Sequence, residues 1–223
     1  MQKIAPLVVQ DQPQPKGVTV KGVVRLKGER PAVKLLNVPQ AYQKMCECEK
    51  IDPGDLVVGP SKGIQFAYVE IKSDLKSFEP KDARVVQKRG VYIPRLIVVG
   101  EKTNVRFENA DGETHNVHLC TEDFSESIFN VITSPLKEAH EAKIERLGRF
   151  KVICDIHSWM KGWVIVTQNP WNAVSGADGE FEITNVTPGK HELVVWHERL
   201  GEKKVEVTVE DKSVDLVIEL EAK

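Results

Sequence analysis

Apolar and polar residues alternate along most of this chain. Residues 18–28, VTVKGVVRLKG, alternate and end in a turn, and residues 64–75, IQFAYVEIKSDL, do the same. Such a period of two sends successive side chains to opposite faces of a strand. Residues 95–112 read as two strands around a Gly100-Glu101-Lys102 turn. Residues 151–154 and 162–168 are short apolar runs on either side of a polar insert. Four more alternating segments, 179–186, 190–200, 203–211 and 213–220, follow at short, regular spacing. Short strands punctuated by turn signals predict an all-β chain built from sandwiches or barrels. One segment competes: in residues 134–148, Pro135 and the Glu/Lys content favour a helix start. Residues 141–154 also read as strand, turn, strand, and that reading is preferred for its second half.

Breaker residues divide the chain. Residues 167–181 carry Pro170, Gly176 and the Asp178-Gly179 pair, the strongest boundary signal. The expected units are therefore 17–169 and 170–223, with a partly irregular insertion at about 29–62. Residues 1–16 are polar and rich in Gln and Pro. They are expected to be a flexible arm, or the head of a mature protein whose leader has been removed. The length of 223 residues suits one large all-β domain or two small ones and allows a sizeable core. A net charge of −2 suggests neither a nucleic-acid surface nor a polybasic membrane patch. No apolar run approaches the roughly 18 residues of a membrane span.

The chemistry concentrates in residues 151–166, KVICDIHSWMKGWVIV, where Cys154, His157 and Met160 stand three apart. On a continuing strand residues three apart face opposite sides, so these three converge only if the chain leaves the strand after Cys154 and returns at about Gly162. The spacing thus fits a tight loop between two strands. A fourth ligand comes from residues 108–120, ENADGETHNVHLC, as His115. One thiolate, two imidazoles and a weak thioether form the trigonal His₂Cys set with axial Met that suits a single type 1 copper and electron transfer. No position is left for a substrate, so an enzyme is not expected. His118, on the strand face opposite His115, is expected to point away from the metal.

Residues 114–120 and 154–166 resemble the cupredoxins of the amicyanin- and plastocyanin-like kind, over roughly residues 82–168. The resemblance implies a Greek-key β-sandwich or barrel and the ligands His115, Cys154, His157 and Met160. It also implies that the backbone N–H of Asn116 bonds to the ligand sulfur. His157 would then lie near the surface, with Trp159 beside it on a docking surface for redox protein partners. Cupredoxins work outside the cytoplasm, so a periplasmic or other extracytoplasmic location is expected. The whole chain also resembles larger bacterial plastocyanin-like proteins that carry a carboxypeptidase-regulatory-like, transthyretin-like sandwich at the C-terminus, here suggested by residues 179–201. In those proteins a Cys and a His are expected near residues 89–96. Val91 and Arg95 stand there instead, which puts the disulfide and any accessory metal site at that place in doubt.

Three cysteines remain. Cys120 either pairs with Cys46 or Cys48 or stays a free thiol. Cys46, Cys48 and Cys120 are also candidates for a second soft-metal site, with Met45 beside them. Two rival functions follow: copper storage or delivery through this cluster, and a structural or interaction subunit of a larger assembly. Trp163, Trp171 and Trp196 read as packing residues, and His197 shares a strand face with Val195, opposite Trp196.

Overall fold

The computed structural model describes residues 17–79, 81–135 and 138–222; the arm expected over 1–16 lies outside them. In chain order the strands are β1 (Val18–Lys27), β2 (Leu36–Asn37), β3 (Lys50–Ile51), β4 (Tyr68–Ile71), β5 (Ala83–Lys88) and β6 (Val91–Ile93). They continue as β7 (Leu96–Gly100), β8 (Thr103–Asn109), β9 (His115–Thr121), β10 (Ser127–Thr133), β11 (His140–Ile144) and β12 (Gly148–Ile153). The last are β13 (Lys161–Thr167), β14 (Asn172–Val174), β15 (Glu180–Val186), β16 (Gly189–His197), β17 (Gly201–Val209) and β18 (Val214–Glu221). The helical exceptions, both short, are a 3₁₀ turn at Gln40–Tyr42 and α1 (Gln43–Cys46). The chain is all-β, and residues 140–153 form strand, turn, strand as preferred from the sequence.

Two pairs of sheets organise the molecule. A five-stranded sheet, β10-β9-β12-β13-β7, faces a four-stranded one, β11-β8-β5-β6. Phe107, Val117, Leu119, Phe150, Val152 and Val164 fill the space between them. A three-stranded sheet, β15-β1-β18, and a four-stranded one, β14-β4-β16-β17, enclose a second core around Val20, Val24, Val69, Ile183, Leu193 and Ile218. A third cluster joins the halves: Leu96, Trp163 and Ile165 pack on Tyr68 and Trp196. Trp163 and Trp196 meet edge to face at 4.8 Å between ring centroids. Trp196 thus packs between sheets, and Trp171 is buried in the second core.

Strand pairing crosses the boundary expected at residue 170. β1 pairs with β15 and β18, and β4 pairs with β14 and β16. Residues 64–75 are also strand over a shorter span than their alternation suggests. Phe66 takes a positive φ of 64°, which breaks the extended run before Tyr68.

The cysteines correct one expectation. Cys46 and Cys48 form a disulfide with each other, and Cys120 is a buried free thiol. With both sulfurs of the pair bonded, Cys46, Cys48 and Cys120 do not offer a set of thiolates to a soft metal.

Candidate metal centre

β12 ends at Ile153 and β13 begins at Lys161, so the loop expected between Cys154 and Gly162 is present and each of its ends falls one residue earlier. Backbone bonds close the intervening loop: Cys154 N–H to the Met160 carbonyl at 3.3 Å and Met160 N–H to the His157 carbonyl at 2.9 Å. His115 opens β9, two strands away from β13 across β12. The result is a cluster in which Nδ1 of His115, Sγ of Cys154 and a ring nitrogen of His157 lie within 4.8 Å of one another. The two Nδ1 atoms face each other at 2.9 Å, and Cys154 Sγ lies 3.6 Å from His157 Nδ1. All three residues are buried. Met160 is fully buried in the same core.

Neighbouring groups orient the donors. Nε2 of His115 donates to Asp111 at 2.9 Å, which turns Nδ1 toward the cluster. Asp111 also accepts the backbone N–H groups of Arg89 and Gly90. The Asn116 N–H reaches Cys154 Sγ at 3.5 Å, in the place the resemblance implied. The Asn116 side chain ties the start of β9 to the ligand loop: its amide donates to Asp155 at 2.9 Å, and its carbonyl accepts the Asp155 N–H at 2.7 Å. Tyr92 Oη and Gln87 Nε2 both donate to the Asn116 carbonyl. His118 bonds Asp155 and Ser127 and stays outside the cluster, as expected.

The electrostatics suit a cation. Burial pushes His115 down, but Asp111 and Cys154 together outweigh it and raise its pKa to about 9. For the Cys154 thiol burial acts upward and is outweighed by bonds from His115 and from the Asn116, His157 and Ile156 backbone, so its pKa falls below the ordinary thiol value. His157 is lowered to about 4, by burial and then by the charge on His115. A buried pocket thus holds one positive charge among a thiol, a neutral imidazole and a carboxylate-backed imidazole. A soft or borderline metal would displace the protons of His115 and Cys154 and take the same N and S atoms as its donors. The donor set fits copper.

Two expectations about the surface are overturned. His157 is fully buried and Trp159 is only 5% exposed. The ring of Tyr42 sits edge-on against His157 at 4.4 Å, and Trp159 Nε1 donates to the Gly90 carbonyl at 3.1 Å. Gly90 has φ 69°, and a side chain there would run into Met45 and Trp159. Trp159 is therefore a packing residue, not part of an exposed docking surface. Sequence reading missed Asp111, Tyr42, Arg89 and Asp155. Asp111 alone carried a signal, four residues before a ligand.

No protein-family model and no curated protein matches this chain. Solved structures do. A purple cupredoxin from Nitrosopumilus maritimus is 25% identical over 39% of this chain and 100% of its own, with a TM-score of 0.34. Amicyanin from Paracoccus versutus is 16% identical over 44% of this chain and 97% of its own, with a TM-score of 0.35. The copper-containing nitrite reductase of Thermus scotoductus SA-01 is 21% identical over 44% of this chain and 25% of its own, with a TM-score of 0.35.

Proposed function

We propose that this chain is a mononuclear copper protein that carries single electrons between redox protein partners. His115, Cys154 and His157 would hold the metal, with Met160 as a further, weak ligand. One observation carries the reading: two imidazole Nδ1 atoms and one cysteine sulfur converge in a buried pocket, with His115 aimed by Asp111 and Cys154 by the Asn116 N–H. Bound copper supplies one-electron exchange between its two oxidation states there.

The chain's own residues hold the ligands still and keep water out. Asp111 fixes the His115 ring, and the Asn116 N–H steadies the sulfur. Tyr42, Trp159 and Met160 shield the cluster from solvent. A dry, fixed ligand cage changes little between oxidation states, which favours fast electron exchange. The Cys46–Cys48 disulfide fits an oxidising, extracytoplasmic compartment. Among the described residues no helix is long and apolar enough to cross a membrane.

Copper titration with voltammetry tests this. One copper per chain and a reversible one-electron wave are expected. Two or more coppers per chain with no reversible wave would favour storage or delivery instead.

A further inference from the structure

The middle of the insertion, Pro39–Cys48, lies over the metal cluster. Tyr42 packs on His157 and stands 6.2 Å from Trp159. Met45 and Cys48 pack against the core that contains Cys154, Trp159 and Met160. The segment has little structure of its own: a 3₁₀ turn, then α1, four residues long, far below the length at which a helix is stable alone. Three ties hold it. The Cys46–Cys48 disulfide spans Glu47, whose φ is 55°. The Arg89 guanidinium bonds Glu47 at 2.8 Å and the Cys46 carbonyl at 3.5 Å. Gln43 Nε2 donates to the Val38 carbonyl at 3.0 Å. Arg89 and Gly90 also present their N–H groups to Asp111, which orients His115. The segment and the ligands therefore lean on one turn.

His157 Nε2 is buried beneath this segment and meets no hydrogen-bond partner among the described residues.

We infer that Pro39–Cys48 is a lid over the metal cluster, and that the Cys46–Cys48 disulfide is a thiol-reactive site that fixes the Glu47 turn by which Arg89 holds the lid. The co-reactant is a dithiol reductant. Its thiolate attacks Cys48 Sγ, half-buried where Cys46 is buried. The S–S bond breaks and Cys46 leaves as a thiolate. The reductant's second thiolate then attacks the mixed disulfide and releases Cys48. Two electrons pass to the cysteine pair, each sulfur takes up a proton, and the reductant departs as its own disulfide. The freed segment loses its cross-link, and the His157 edge opens to solvent. The meaning of the lid rests on the metal-site reading, but its mechanics do not.

The test uses the metal-free full chain, so it stands apart from whether copper binds. In a Cys120→Ser background Cys154 is the one free thiol, and its modification rate by methyl methanethiosulfonate is measured. Replacing both Cys46 and Cys48 by Ser, or Tyr42 by Ala, is expected to speed that reaction about tenfold or more by easing local opening. Unchanged rates in folded variants would overturn the lid. Separately, the unmutated metal-free chain is exposed to dithiothreitol and trapped with iodoacetamide. Alkylation of Cys46 and Cys48 while the far-UV circular dichroism stays native is expected. A disulfide that yields only when the chain unfolds would overturn the thiol-reactive site, and this arm decides even where the serine variants fail to fold.

Discussion

Asp111 decides which nitrogen of His115 faces the cluster. Replacing it by Asn removes the charge that holds the ring and is expected to lower copper affinity about 10- to 100-fold, read by chelator competition; unchanged affinity would contradict its role. Met160→Leu is expected to keep the metal and raise the reduction potential in voltammetry, since the axial ligand tunes it. A third residue gives a pH signature. His197 is buried in a strand end and its pKa is lowered from 6.5 to about 4, by burial first, against the opposing charge of Glu198. The unfolded chain thus binds more protons between these values. The resulting contribution is present above pH 6.5 and fades as pH falls toward 4. His197→Gln should flatten that loss by up to about 3 kcal/mol in urea unfolding, measured against the unmutated chain. Parallel curves would contradict it. The cluster of His115, Cys154 and His157 was legible because spacing and parity act locally along the chain. Tyr42 and Arg89 were not, because nothing local records which distant segment folds over the loop.

Strand β13 shows why alternation fades where two cores meet. Val164 and Val166 face the core between the first pair of sheets, while Trp163 and Ile165 face Trp196 and Tyr68. A strand buried on both faces reads as one apolar run. The loop between β6 and β7 is fixed to the other half by Arg95, which stands where the resemblance implied a residue of a different kind. Its Nε and Nη2 meet both carboxylate oxygens of Glu198, its Nη1 donates to the Pro53 carbonyl, and both partners are mostly buried. Arg95→Ala leaves Glu198 without its partner and is expected to cost about 3–5 kcal/mol in denaturant unfolding. A loss under about 1 kcal/mol would show that the pair behaves as an exposed one.

At the scale of the molecule, the alternating pattern made the all-β class legible, but it does not say which strands pair. The turn-rich stretch at 167–181 holds the short strand β14 between β13 and β15, and β1 lies between β15 and β18 while β4 lies between β14 and β16. Long-range pairing is set by burial and register, which a boundary signal does not report. A fragment of residues 170–223, lacking β1 and β4, is therefore expected to be unfolded by circular dichroism. A cooperatively folded fragment would contradict the pairing. The central claim, that Cys154 and two histidines hold copper in a type 1 site, is met most directly by the visible absorption of the Cu(II)-loaded chain beside its Cys154→Ala variant. An intense thiolate-to-copper band, absent from the variant, is the predicted result. A colourless copper complex in which Cys154 still reacts with iodoacetamide would contradict it.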